Sequence, residues 1–239
     1  MSNVRKLAIC AGILFIIYTS VDVLSFLFLG PVKSTNYLVS VSENANLVGT
    51  GALILFFGGA CASGIAISLY PVLKKFNPVL ALGSVGFRIS EGVIRFASVC
   101  ALLSIITLSQ LFVKAGTPDS SYYQTLGELL VAGRGWLGVG QLLAFSIGCS
   151  LYYIIFFTTN LVPRWISVWG LVFGITGIVS CALVSTGLIA PAGTVQVIMV
   201  MPMLPQELVL AVWLIVKGFN PSVISARAGN IGLHAEGED

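Results

Sequence analysis

The stretch LVGTGALILFFGGACASGIAISLYPVL, from Leu47 to Leu73, runs 27 residues without a charged side chain. A hydrocarbon core of about 30 Å is crossed by about 20 apolar residues at 1.5 Å each, so this stretch is long enough to span a bilayer. Backbone groups in lipid must satisfy one another internally, so it is read as a helix. Working outward, five more stretches have the same character: Leu7–Leu29, Pro78–Val113, Tyr122–Asn160, Ile166–Ala190 and Val195–Val216. Together they predict an all-α, polytopic bundle of six transmembrane helices within residues 1–219. A flexible cytoplasmic tail is expected over 220–239.

Composition agrees. Of 239 residues, 57% are apolar and only 9% charged, with a mean hydropathy of +1.00. Soluble domains carry about 25% charged residues, which excludes an ordinary soluble domain. A net charge of +3, scattered along the chain, does not suggest a nucleic-acid partner. The bilayer is the expected partner and the cell membrane the expected location. The first stretch exceeds the roughly 7–15 apolar residues of a signal peptide and has no small-residue cleavage site, so it is read as an uncleaved helix.

Local punctuation supports the boundaries. Asn77-Pro78 places a capping residue before a proline at the first helical position. Thr117-Pro118-Asp119 and Val162-Pro163-Arg164 mark turns. The third and fourth stretches are too long for one simple crossing. Their ends, Pro78 to about Arg88 and Tyr122 to about Gly133, are expected near the two membrane faces.

With the N-terminus inside, Arg5, Lys6, Lys74, Lys75, Arg164, Lys217 and Arg227 are cytoplasmic, and only Lys33 and Lys114 are outside. That asymmetry predicts both termini in the cytoplasm. Trp165, Trp213, Tyr152 and Tyr153 are expected in the inner aromatic belt. Gly170 and Gly174, and the small residues Gly58, Gly59, Ala62, Ser63 and Gly64, are expected to let helices approach closely within the bundle.

The informative residues are charges at membrane depth: Asp22 in the first span, Arg88, Glu91 and Arg95 in the third, Glu128 and Arg134 in the fourth, and Glu207 in the sixth. One such charge costs about 2.5–3.5 kcal/mol at a helix centre, so seven demand partners or water. Arg88, Glu91 and Arg95 stand at i, i+3 and i+7, on one helix face. Depth along the spans predicts an inner cluster, in which Glu207 contacts Arg88 or Arg95, and an outer cluster, in which Asp22 pairs with Arg134 and one carboxylate, of Asp22 or Glu128, is left over. Pro202 and Pro205 each remove a backbone donor, so the sixth span should kink or break just before Gln206-Glu207. A break of this kind marks binding sites in transporters; its structural alternative is a packed kink with Glu207 neutralised by Arg95.

Much chemistry is excluded. The single histidine, His234, lies in the tail, which leaves no bis-histidine haem and no intramembrane zinc protease. Cys10, Cys61, Cys100, Cys149 and Cys181 sit in separate apolar stretches without CxxC spacing, and are read as buried structural thiols. No nucleotide loop is present, and no cofactor is expected. The function classes that remain are a membrane protein without an active site, a small proton- or ion-coupled transporter using Glu207 with the Arg88/Glu91/Arg95 face, and, least favoured, an intramembrane enzyme. The ligand, small molecule or ion, is not specified by the sequence.

Leu161–Gly170 (LVPRWISVWG), Pro202–Phe219 (PMLPQELVLAVWLIVKGF) and Arg88–Arg95 (RISEGVIR) resemble a family of multi-pass membrane proteins described as the domain of unknown function numbered 4386. The resemblance implies that Arg88, Glu91, Pro163, Arg164, Glu207 and Trp213 belong to the family pattern. It implies no role for them.

Overall fold

A computed structural model describes residues 3–116 and 120–227. Its helices are α1 (Asn3–Phe28), α2 (Tyr37–Glu43), α3 (Ala45–Leu73), α4 (Pro78–Ala115), α5 (Ser120–Thr159), α6 (Arg164–Ser185), α7 (Thr194–Val200) and α8 (Met203–Val216), with a 3-10 turn at Gly30–Lys33. Six segments are long and apolar enough to cross a membrane, α7 and α8 together making the sixth. The long α4 and α5 are each one unbroken helix.

Start and stop signals act as their chemistry requires. The Asn77 side chain accepts from the Leu80 amide at 3.0 Å, closing the first turn of α4. The last carbonyls of α8 are satisfied from the opposite end of the chain: Arg5 donates to Leu214 O at 3.0 Å, Ile215 O at 2.5 Å and Val216 O at 3.1 Å. A cation at a helix C-terminus also meets the negative end of its dipole. The double-proline break divides the sixth span at Met201-Pro202. The fifth span ends short of the expected Ala190, because Gly187 takes φ +76° and turns the chain out of the helix.

The helices pack in a chain of neighbours. α1 lies on α3 and α8, α3 on α4, α4 on α5, α5 on α6, and α6 on α7 and α8. Large apolar side chains such as Leu27, Leu53, Phe57, Val93, Ile175 and Val212 point outward, as expected of a surface facing lipid. Gly170 and Gly174 serve α5–α6 packing: a Cβ at 170 would lie 2.4 Å from the Tyr153 ring, and one at 174 would lie 2.3 Å from Ser150 Oγ. Tyr152 and Tyr153 are therefore not belt residues. Both are fully buried, in a core cluster with Phe15, Phe156 and Leu210, whereas Trp165 is exposed.

Two further expectations need correction. Cys10 and Cys100 are exposed on the outer surface of the bundle, Cys61 is intermediate, and only Cys149 and Cys181 are buried; all are free thiols. The expected loose tail begins as helix over 221–227. Asn220 caps it, accepting from Ser222 N at 3.2 Å and Ser222 Oγ at 2.8 Å. Val223 and Ile224 pack on the main core, and Arg227 Nε donates to Lys75 O at 2.7 Å. The rest of that tail, with His234, lies outside the described residues.

Candidate functional site

The third-span face predicted from the i, i+3, i+7 spacing is buried as a unit: Arg88 and Glu91 are 0% exposed and Arg95 2%. From α1, Tyr18 and Asp22 reach this face. Arg88 Nη1 stands 2.8 Å from Glu91 Oε2. The approach is ionic rather than an aligned hydrogen bond, so Arg88 Nε, Nη1 and Nη2 and Glu91 Oε2 have no hydrogen-bond partner among the described residues. Aromatic faces take up part of that charge: Arg88 Cζ lies 5.0 Å from the Tyr18 ring centroid and 4.8 Å from that of Phe145.

Tyr18 ties the two arginines together. Its hydroxyl donates to Glu91 Oε1 at 2.6 Å and accepts from Arg95 Nη2 at 3.0 Å. Arg95 in turn grips Asp22 with two donors, Nη1 to Oδ1 at 2.6 Å and Nη2 to Oδ2 at 3.3 Å, and stands 3.9 Å from Glu91 Oε1. Oriented oxygen-inward, the Gln141 amide accepts from Arg95 Nε at 3.3 Å and Nη2 at 2.8 Å. A planar guanidinium held on both edges is a fixed element, not a wandering charge.

Two glycines make room for these side chains. A Cβ at Gly58 of α3 would sit 2.7 Å from Arg95 Nη1 and 2.8 Å from Val21 Cγ1. A Cβ at Gly148 of α5 would press on Arg88, 3.2 Å from Cγ and 3.3 Å from N.

The expected pairing is thus redrawn. Asp22 pairs with Arg95, not with Arg134. Arg134 makes no ion pair or hydrogen bond among the described residues, and its Nε is buried. Glu128 is exposed and belongs to no charge cluster; it shares a surface pocket with Tyr37, whose phenol is pushed above its ordinary value by burial and by that carboxylate. Glu207 contacts neither Arg88 nor Arg95 within ion-pair distance. Thr19 Oγ1 donates to Glu207 Oε2 at 3.3 Å, and Oε1 has no hydrogen-bond partner among the described residues. Its neighbour Gln206 is fully engaged, accepting from the Tyr153 hydroxyl at 2.8 Å and donating to Ile166 O at 3.3 Å.

Glu207 is 2% exposed and lines a cavity of about 420 Å³ with Tyr18, Asp22, Gln141, Phe145 and Met203. A second cavity of about 310 Å³ is lined by Arg134, Asp22, Arg95, Ser98, Gln141 and Gln196. Asp22, Gly138, Gln141, Leu142, Val197 and Val200 line both, so the two adjoin at Asp22 and Gln141. The break before α8 supplies Val200 and Met201 to one wall and brings Glu207 to the other.

Sequence reasoning missed Tyr18, Thr19, Gln141 and Phe145. Tyr18, Thr19 and Asp22 at i, i+1 and i+4 form a polar cluster in the middle of a mostly apolar helix, which is the signal that was available for Tyr18 and Thr19. Gln141 and Phe145 carry no such signal. Among the described residues, no group of three or more His, Cys, Asp or Glu could hold a metal ion.

These features define a polytopic helical membrane protein with a buried arginine–carboxylate centre beside two part-open cavities. A family profile, Domain of unknown function (DUF4386), matches residues 10–218. The chain belongs to that family. No curated protein and no solved structure matches it.

Proposed function

We propose that this protein is a small proton-coupled transporter of the cell membrane, with both termini cytoplasmic and Glu207 as the coupling carboxylate. One observation carries the reading: Glu207 is buried just after a helix break, borders a cavity, and has one oxygen without a hydrogen-bond partner among the described residues. A carboxyl group that only held helices together would be expected to spend both oxygens on protein donors. Here Arg88 and Arg95 are taken by Glu91 and Asp22, which leaves Glu207 free to exchange a proton with the cavity.

Several groups set the field at Glu207. Arg88 and Glu91 act from α4, Asp22 from α1, and Cys149, Tyr152 and Tyr153 from α5, while Thr19 supplies the one hydrogen bond. Ionisable residues inside membrane segments mark ion and proton pathways, and a broken helix beside the site matches the architecture of transporter binding sites.

Infrared titration of the reconstituted protein tests the role. A protonated-carboxyl band should grow as pH falls and be missing in Glu207→Gln. A titration identical in wild type and E207Q overturns the proposal. The orientation is read with reporter fusions, at Ser42 and Ser120 outside and at Lys75 and Gly229 inside; an inside signal at Ser120 refutes it.

A further inference from the structure

Resting on that reading, we infer that Arg134 forms the substrate end of the same pathway, a site for a small monoanion with an apolar body, a carboxylate or its isostere, which loads together with the proton on Glu207. Arg134 is the one arginine of the centre left without a protein partner among the described residues. Burying a guanidinium edge with no acceptor is costly, and its Nε is such an edge. Arg134 is half-buried, and the 310 Å³ cavity that it lines is where an acceptor can reach its guanidinium.

That cavity has the makings of an anion pocket. Its walls are apolar at Leu55, Val139, Leu142, Val197 and Val200, and its volume falls in the range of about 300–1,000 Å³ typical of small-ligand sites. Gln196 adds a donor: its oxygen is used by the Ala192 amide at 2.6 Å, so its nitrogen is left to donate. Asp22 also lines the pocket, but its charge is held in the two-pronged grip of Arg95.

Charge balance links the two ends. The centre contains three guanidiniums, Arg88, Arg95 and Arg134, and three carboxylates, Asp22, Glu91 and Glu207. It is neutral when Glu207 is ionised. A proton on Glu207 leaves one positive charge uncompensated, and that charge sits on the unpartnered Arg134. A monoanion there restores neutrality. Proton and anion therefore favour each other's binding, and by linkage the effect is reciprocal. The loaded centre has the same net charge as the empty one, so neither state carries a net charge into the low-dielectric interior. A cation at the same place would meet Arg134 and be repelled.

The test is binding to the full chain in nanodiscs. Hexanoate and hexanesulfonate serve as probes, with hexylammonium and hexanol as controls of equal chain length; the sulfonate keeps its charge at every pH used. Both anions should bind and raise Tm, and neither control should. The charge-assisted hydrogen bond is lost, so Arg134→Gln should weaken anion binding at least about tenfold. Arg134→Lys should restore part of it. Wild-type affinity for hexanesulfonate should rise as pH falls, while Glu207→Gln should hold the high-affinity value at every pH. Anion binding equal in wild type and R134Q overturns the site, as does binding of hexanol as tight as that of hexanoate. No anion binding alongside an intact, E207Q-sensitive infrared band overturns the anion site and leaves the proton role standing. Anion binding that ignores pH overturns the coupled loading. Arg134 has no partner to orphan among the described residues, so failure of both R134Q and R134K to fold also refutes the inference.

Discussion

Replacing Glu91 with Gln tests the buried centre most sharply. Glu91 is 0% exposed, 2.8 Å from Arg88, and accepts from Tyr18 at 2.6 Å. The amide keeps the volume and can still accept from Tyr18, so packing and that hydrogen bond are nearly preserved. What is lost is the counter-charge of Arg88, whose guanidinium is 0% exposed and has no other acceptor. Removing one partner of a buried pair costs about 3–5 kcal/mol. The Tyr18 and Phe145 ring faces remain and keep the value toward the lower end, because each contributes up to about 2 kcal/mol when desolvated. The expected loss is about 3 kcal/mol, read by SDS titration of the protein in mixed micelles. Arg88→Met with Glu91→Gln removes both charges and should be more stable than Glu91→Gln alone. A loss below about 1 kcal/mol, or a double variant as unstable as the two singles added together, would refute the pairing.

Further expectations follow from the same geometry. Asp22→Asn should cost less than Glu91→Gln, about 1.5–3 kcal/mol, because Arg95 keeps Tyr18, Gln141 and Glu91 at 3.9 Å; unfolding measurements on the two variants rank them. A double-mutant cycle should find coupling between Asp22 and Arg95, and less than about 0.5 kcal/mol of stability coupling between Asp22 and Arg134. Gly58→Ala should destabilise by about 1–3 kcal/mol, since its methyl meets Arg95 and Val21 at once. Arg5→Gln should loosen the end of α8, and hydrogen exchange at residues after Trp213 should report it, because the Arg5 guanidinium caps three carbonyls there.

Some of this was legible in the sequence because it depends on distance along one helix. Charge-free runs such as Leu47–Leu73 have no other stable place than lipid, so six spans follow from composition alone. The i, i+3, i+7 spacing put Arg88, Glu91 and Arg95 on one face, because a helix converts spacing into angle. Pro202 and Pro205 predicted the break before α8 because a missing backbone donor is a local fact. The pairing of charges between helices was a different problem. Residue counting placed Asp22 and Arg134 at similar depth, but depth is one coordinate, and an ion pair also requires that the two helix faces be turned toward each other. Only the tertiary structure decided that α1 turns Tyr18 and Asp22 toward α4, which gives Asp22 to Arg95 and leaves Arg134 at the cavity. The same rotation carries Thr19 to Glu207, while the face that α5 turns inward sets Tyr153 on Gln206 and hides Tyr152 and Tyr153 in the core instead of at the membrane surface. Aromatic and hydroxyl side chains look alike in sequence whether they face lipid, core or a guanidinium. Which of these they meet is set by the angle at which one helix faces the next, and that angle is a property of the packed bundle.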